Sequence, residues 1–317
     1  MIKEKFEQVY KSKLFARCDD TGLVRYFSYV DFPGLQCAPY DFPSSHGHRM
    51  QGYFYNYSVY DAARLIVFEH GFGGGHRSYM KEIEMLCKAG FRVFAYDHTG
   101  CMESGGAGAN GFAQSLCDLN DCLQTLKADN MVNTDDISVV GHSWGGFSAL
   151  NIAALHPDVK RIVVLSGLVS IERMLRQLFP GLLKGVREHI YGVEKAANPQ
   201  YAAFDGVETL QKAAVKALLI YSENDKVIQK KTQYDPLYAA LKNKPNIEFL
   251  LEQNKDHNPN YTVEAVQYLR TLSTAVKKAA KYKTDARKQA FRDSFDWHKM
   301  TAQDPTVWQK ITEFLQQ

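Results

Sequence analysis

Residues 139–146 read Val-Val-Gly-His-Ser-Trp-Gly-Gly, near the middle of the chain. The β-branched residues at the start predict a strand, and the apolar, Ala-rich segment after the glycines predicts a helix. A sharp turn between them would place Ser143 at its apex, with Gly141 and Gly145 leaving room for the backbone. The free N–H groups at the start of a helix favour negative charge. Ser143 is therefore a candidate nucleophile, and the alternative is an ordinary helix N-cap.

Strands and helices alternate on both sides of this turn, which predicts an α/β fold with a doubly wound, mostly parallel sheet. The predicted strands are runs rich in β-branched and aromatic residues at 64–68, 91–96, 161–165, 217–221 and 247–251. The chain has 317 residues with 45% hydrophobic content. One large α/β domain covering residues 1–317 fits that length and composition.

The amino-terminal part has a different pattern. Apolar residues at helical spacing predict an amphipathic helix over residues 2–14, packed on the body of the protein. Alternating residues at Leu23–Val30 and His48–Tyr55 predict an antiparallel β meander at the sheet edge, with prolines and glycines separating the pieces.

Two segments interrupt the α/β alternation. Residues 168–212 carry an apolar stripe at helical spacing and predict a helical cap or lid insertion, in which Met174 and Leu178 are candidates for lining a substrate pocket. Ordinary packing on the sheet is the alternative interpretation. Residues 259–303 predict a second helical insertion, part of an extended tail in which helices at 263–279 and 306–315 are joined by a charged connector.

Composition excludes several classes of protein. A net charge of +3 with interspersed signs provides no basic surface for nucleic acid. The six cysteines form no CxxC pair and indicate reduced thiols rather than disulfides or a metal site. No apolar run is long enough for stable membrane insertion. We therefore expect a soluble cytoplasmic protein, and its oligomeric state stays open.

A glycine-rich turn, His70-Gly71-Phe72-Gly73-Gly74-Gly75, follows the predicted strand at 64–68. It lacks the Gly-Lys-Ser/Thr of a phosphate-binding loop and the spacing of a dinucleotide-binding motif. A hydrolase needs two N–H donors for the oxyanion of its tetrahedral intermediate, one from this loop and one from the residue after the nucleophile. The Phe72 and Trp144 amides are the candidate donors, and Gly73 is the alternative to Phe72.

A serine nucleophile also needs an imidazole base and a carboxylate that orients it. Asp225 follows the predicted strand at 217–221, and His257 follows the last one. The chain order of serine, acid and histidine is the one expected when three loops meet above such a sheet. Glu223 and Asp256 are the alternative acids. Three other histidines have structural or pocket-lining roles in this interpretation: His70, His98 and His142.

These motifs resemble the α/β-hydrolase superfamily, and within it the serine aminopeptidase-like and lysophospholipase-like hydrolases. The resemblance covers residues 48–260. It departs from the family pattern at residues 97–104, where Asp-His-Thr-Gly-Cys-Met-Glu-Ser replaces the usual Asp-x-Arg-Gly-x-Gly-x-Ser.

The sequence therefore predicts a serine hydrolase that cleaves carboxylic esters with a hydrophobic acyl or small aromatic group, through an acyl-enzyme, without metal or organic cofactor. Amide or peptide hydrolysis and acyl transfer could use the same residues. A non-catalytic binding module and cofactor-independent lyase or oxygenase chemistry are further alternatives.

Overall fold

The computed structural model describes residues 2–317, and eight strands form one central sheet. The strands are β1 (Gln36–Pro43), β2 (Arg49–Asn56), β3 (Arg64–Glu69), β4 (Arg92–Tyr96), β5 (Asp136–His142), β6 (Arg161–Leu165), β7 (Lys216–Ser222) and β8 (Ile247–Glu252). Their spatial order is β1-β2-β4-β3-β5-β6-β7-β8.

Helices cover the sheet and fill the two inserted segments. They are α1 (Ile2–Leu14), α2 (Met80–Lys88), α3 (Gln114–Ala128), α4 (Trp144–Asn151), α5 (Ile171–Leu178), α6 (Lys184–Ala197), α7 (Gly206–Lys212), α8 (Tyr234–Leu241), α9 (Val263–Ala279), α10 (Asp285–Asp293), α11 (Trp297–Met300) and α12 (Pro305–Gln316).

The strands from β3 onward are parallel, and β2 runs antiparallel to both of its neighbours, β1 and β4. The predicted doubly wound, mostly parallel sheet is thereby confirmed. In such a sheet the loops that follow the parallel strands emerge at one edge. The loops after β3, β5, β7 and β8 therefore lie at the same edge.

Each central strand contributes to two hydrophobic cores, because successive side chains point to opposite faces. In β7, Leu219 and Tyr221 join the core that includes α3 and α4, whereas Leu218 and Ile220 join the core that includes α2 and α12. Burial on both faces explains why these strands read as continuous apolar runs in the sequence.

The sheet edge differs from the sequence prediction. Leu23–Val30 contains no strand, since its Phe27 ring is buried against the carboxyl-terminal part of the chain, with the His298 ring centroid 4.8 Å away. The first strand is β1 instead, and it contains Pro39 and Pro43. Proline is tolerated there because β1 pairs only with β2, which leaves its other edge without a ladder.

The predicted helix at residues 2–14 is confirmed as α1, whose Phe6 packs edge-on against Phe179 with ring centroids 5.8 Å apart. Helices α5, α6 and α7 lie between β6 and β7, and α9 to α11 lie between β8 and α12. The connector expected between residues 279 and 306 is helical, because it holds α10 and α11. None of the helices within residues 2–317 is both long and apolar enough to cross a bilayer.

Candidate active site

Ser143 occupies the turn between β5 and α4 with a strained backbone, φ 56° and ψ −109°. Such a conformation is costly for a residue other than glycine and persists only where the surroundings enforce it. Close packing of the backbone holds this turn in place. A Cβ on Gly141 would lie 2.2 Å from the Gly145 oxygen, and one on Gly145 would lie 2.3 Å from the Glu69 oxygen. The two glycines therefore allow the turn to be tight.

The hydroxyl of Ser143 lies 2.8 Å from Nε2 of His257. On the other side of the ring, Nδ1 of His257 lies 2.8 Å from Oδ2 of Asp225. The loops after β5, β7 and β8 contribute one side chain each. The structure thus brings the three predicted residues into one hydrogen-bonded chain, the arrangement in which an imidazole can take a proton from a serine.

Asp225 is held rigidly. Its side chain is fully buried, and Oδ1 accepts the amides of Val227 and Ile228 at 2.7 and 2.9 Å. Oδ2 is left to face His257. An acceptor in this place favours the ring tautomer with hydrogen on Nδ1 and a free Nε2 toward Ser143. The Asp225 carboxylate therefore sets both the orientation and the tautomer of the ring.

The alternative acids lie elsewhere. Asp256 has φ 46° and binds the Arg270 guanidinium through both oxygens, at 2.7 and 2.8 Å. The Asn224 side chain also donates to Asp256, at 2.6 Å. Glu223 is exposed to solvent. Asp256 thus anchors the loop that carries His257 instead of facing its ring.

The candidate oxyanion donors come from two elements. Trp144 is the first residue of α4, so its amide is among the N–H groups that have no acceptor within the helix. Phe72 follows Gly71 in the loop after β3, and its ring lies 4.9 Å from that of Trp144. Phe72 stays the candidate loop donor, with Gly73, which has a positive φ of 93°, as its alternative.

His142 does not face open solvent as a pocket residue would; it is 5% exposed and packs behind the His257 ring, with centroids 4.7 Å apart. Its Nε2 lies 2.8 Å from the His257 carbonyl oxygen, and its Nδ1 lies 2.8 Å from the Tyr79 hydroxyl. The sequence analysis did not single out Tyr79. No motif marks it, since its hydroxyl reaches the site only through the fold.

The segment that departs from the family pattern forms a buried polar cluster beneath the glycine-rich turn. The His98 ring lies 3.2 Å from Asp118 and 3.5 Å from Glu69. Burial alone would lower the pKa of His98, but the two carboxylates outweigh it and raise the pKa. Burial raises the pKa of Glu69 to about 7, although Ser148 donates to it at 2.8 Å. His98 thus takes a structural position between two acids.

His70 is also buried and supports the same turn. Its Nε2 accepts the main-chain amide of His98 at 2.9 Å, so Nδ1 carries the hydrogen and donates to the Gly71 carbonyl at 2.8 Å. Burial lowers the pKa of His70 to about 3, which keeps the ring neutral. Both bonds fit the neutral ring, and they fix the start of the loop that carries Phe72.

An apolar cavity of about 320 Å³ lies between α1 and α5. Met174 and Leu178 both line it, together with Phe112 and residues of α1. The Phe112 carbonyl accepts the Trp144 indole N–H at 2.7 Å, which joins the cavity wall to the Ser143 turn. A larger cavity of about 670 Å³ is bounded by α7 and by Ala153 and Ala154, which follow α4. Ser143 is not among the lining residues of either cavity.

Metal-binding side chains do not gather at this site. Within residues 2–317, no group of three or more His, Cys, Asp or Glu side chains is arranged to hold a metal ion.

Comparison with known proteins agrees with this architecture. Residues 64–194 match the sequence model of a family described as alpha/beta hydrolase fold. The chain has the α/β-hydrolase fold, as the motifs predicted. The solved structure of the esterase Pf2001 from Pyrococcus furiosus superposes with a TM-score of 0.61 at 16% identity, covering 89% of this chain and 98% of that one.

Two curated relatives match part of the chain. A protein named "Putative carbamate hydrolase RutD" from Serratia proteamaculans is 32% identical over 118 residues, which are 37% of this chain and 42% of that protein. Esterase YjfP of Escherichia coli is 34% identical over 127 residues, 37% of this chain and 51% of that protein. The match thus spans about two fifths to one half of these relatives' length.

Proposed function

We propose that the protein is a serine hydrolase that works through an acyl-enzyme. The observation that carries the proposal is the continuous hydrogen-bonded chain from Ser143 through His257 to Asp225, with 2.8 Å at both contacts. A serine hydroxyl is a weak nucleophile until a neighbouring base takes its proton. This chain has the base in contact with the hydroxyl and the orienting carboxylate in contact with the base.

In the first half of the reaction, His257 takes the Ser143 proton as Oγ bonds to the substrate carbonyl carbon. The amides of Phe72 and Trp144 donate to the oxyanion that forms. Asp225 stabilises the positive imidazolium, which then protonates the leaving alcohol as the carbon–oxygen bond breaks. Water repeats these steps on the acyl-enzyme: His257 accepts its proton, the hydroxide oxygen bonds to the acyl carbon, and Ser143 leaves with the proton returned to it.

Carboxylic esters with an apolar acyl group are the proposed substrates. The cavity between α1 and α5 has mostly apolar walls, formed by side chains such as Met174 and Leu178, and its wall residue Phe112 touches both Phe72 and Trp144. Burying one methylene of an acyl chain in such a cavity contributes about 0.8 kcal/mol. Esterase YjfP among the relatives supports the same class.

Cleavage of an amide-like bond is the second candidate. The relative named for carbamate hydrolysis favours it, because a carbamate carbonyl carries nitrogen on one side. The two candidates share the nucleophile, base and oxyanion donors, so they differ only in the leaving group that the site accepts. Turnover of matched esters and anilides separates them.

A fluorophosphonate probe tests the nucleophile directly. We expect the probe to label the intact protein and Ser143→Ala to abolish labelling. Ser166→Ala is the matched control, because Ser166 also follows a parallel strand and has a positive φ of 45°. Unlabelled wild-type protein, or labelling that survives Ser143→Ala, would reject the proposal. p-Nitrophenyl esters of graded chain length, assayed beside aminoacyl anilides, then rank the two substrate classes.

A further inference from the structure

A hydrogen-bonded chain behind the candidate base connects it to the glycine-rich loop. We propose that His142 and Tyr79 are positioning residues that fix the His257 main chain and the Gly71 amide in position relative to each other. The inference rests on the proposed function, since it assigns what these two side chains do for the same reaction. It concerns groups that touch neither the substrate nor the reacting atoms.

The directions of the hydrogen bonds follow from the chemistry of the partners. The His257 carbonyl oxygen can only accept, so Nε2 of His142, 2.8 Å away, carries the hydrogen. In the neutral ring Nδ1 is then an acceptor, and it receives the Tyr79 hydroxyl at 2.8 Å. The Tyr79 oxygen in turn accepts the Gly71 amide at 3.0 Å. All three hydrogen bonds therefore point the same way, from the Gly71 amide towards the His257 carbonyl.

The surroundings keep His142 in the form that this direction requires. Burial, and then the nearby His257 ring, lower the pKa of His142 to about 3. The ring is therefore neutral at physiological pH. A protonated His142 ring would point a second N–H at the Tyr79 oxygen, which already accepts the Gly71 amide. The Tyr79 hydroxyl would then lose its acceptor on His142.

Close packing at Gly71 shows how tightly the loop rests on this chain. A Cβ on Gly71 would lie 2.4 Å from the Tyr79 hydroxyl, 3.2 Å from Nδ1 of His142 and 3.3 Å from Cβ of Ser143. The next residue is Phe72, the candidate oxyanion donor. A shift of Tyr79 or His142 would therefore move both the loop donor and the base.

Two hydrogen bonds hold His257 in this arrangement. Asp225 holds the ring through Nδ1, and His142 holds the main-chain carbonyl. With the ring alone fixed, the backbone could rotate and draw Nε2 away from Ser143. A misplacement of about 1 Å can lower a rate about 100-fold. Loss of the hydrogen bond from His142 to the His257 carbonyl should therefore affect kcat more than substrate binding.

Kinetics of four variants, three single and one double, test the proposal with a p-nitrophenyl ester. Tyr79→Phe should lower kcat about 10-fold with KM within about 2-fold, and His142→Ala should lower kcat about 10- to 100-fold. His142→Gln can still donate to the His257 carbonyl and should recover part of the loss. The double variant Tyr79→Phe with His142→Ala should cost less than the product of the single effects, since both break one chain.

Tyr40→Phe is the matched control, because the Tyr40 hydroxyl donates to Asp129 at 2.9 Å, in a contact that joins β1 to the end of α3. It should leave kcat unchanged. A general loss of folding would lower the melting temperature and the active fraction together. Titration with the fluorophosphonate measures the active fraction, so kcat is expressed per active site. Variants with wild-type kcat per site, or independent losses in the double variant, would overturn the proposal.

A second readout does not depend on turnover. Nitrogen-15 chemical shifts of His142 in the wild-type protein should report the neutral tautomer with hydrogen on Nε2, down to about pH 5. Tyr79→Phe should move the Nδ1 resonance, whereas Tyr40→Phe should not. The tautomer with hydrogen on Nδ1 would reject the positioning chain even if the enzyme hydrolyses esters. A correct tautomer in a protein that hydrolyses nothing would instead reject the proposed function.

Discussion

Asp225 and His257 meet through a single oxygen, Oδ2, at 2.8 Å from Nδ1, while the other oxygen of Asp225 is fully occupied by two main-chain amides. The carboxylate is therefore held through both oxygens, by three hydrogen bonds in all. The ring it faces is fixed by this contact, although the two residues lie 32 positions apart in the sequence.

Replacing this carboxylate by its amide tests the role of its charge. In Asp225→Asn, the amide oxygen would be retained by the Val227 and Ile228 amides, which turns the NH₂ group toward Nδ1 of His257. That donor favours the wrong tautomer, and we expect kcat to fall about 10⁴-fold, as in other triads. Stopped and continuous ester assays would measure the loss. Asp235→Asn, which breaks only the ion pair with Lys230, is the control. A loss below about 10-fold would contradict this role.

Two glycines with opposite surroundings make a matched pair. A Cβ on Gly145 would lie 2.3 Å from a backbone oxygen, whereas one on Gly192, within α6, would meet nothing within 4 Å. We expect Gly145→Ala to destabilise the fold by more than about 2 kcal/mol and to abolish probe labelling. Gly192→Ala should stabilise it by about 0.5–1 kcal/mol. Urea unfolding measures both, and equal effects would contradict the packing at the turn.

Most of the fold could be predicted from local sequence pattern. The strands from β3 to β7 are buried on both faces, so each reads as a short apolar run. The predicted strand at 217–221 lies within β7. Leu23–Val30 misled the prediction. Its Phe27 ring packs against His298 in the carboxyl-terminal region, and no local pattern could reveal that partner.

The candidate site also contains residues that the sequence could predict and one that it could not. Ser143, Asp225 and His257 could be found because each lies at the end of a predicted strand, and parallel strands bring their ends together. Tyr79 could not be found, because its hydroxyl matters only through its distances to Gly71 and His142. Those distances depend on how α2 is packed against the sheet, which no motif encodes.

The cavity between α1 and α5 predicts a preference for acyl chain length. Met174 is 7% exposed and lines this cavity of about 320 Å³. Met174→Trp should fill part of it and lower kcat/KM for p-nitrophenyl octanoate at least 10-fold, with less than a 2-fold effect on the acetate. Leu182→Trp, at a fully exposed position, is the control. Equal losses for octanoate and acetate would show that the acyl group binds elsewhere.

A buried carboxyl beside this cavity predicts how stability depends on pH. Glu194 in α6 is fully buried and accepts the Tyr10 hydroxyl of α1 at 2.5 Å and the Phe112 amide at 3.0 Å. Burial raises the pKa of Glu194 to about 7 from an ordinary value of 4.5, with the hydrogen bonds acting in the opposite direction. The group thus joins α1 to the wall of the cavity.

The sign of the effect follows from proton binding. Between pH 4.5 and 7 the unfolded chain has lost this proton and the folded protein retains it, so the contribution of Glu194 to stability is complete below pH 4.5 and is lost as pH rises to 7. Between pH 5 and 8 the free energy of unfolding should fall by about 2 to 3 kcal/mol from this group alone. Glu194→Gln removes the titration, whereas the exposed Glu208→Gln retains it. Urea unfolding at several pH values gives the free energy of unfolding of each protein as a function of pH. The wild-type curve should converge on or cross that of Glu194→Gln and stay parallel to that of Glu208→Gln. Three parallel curves would mean that Glu194 titrates alike in the folded and unfolded chains.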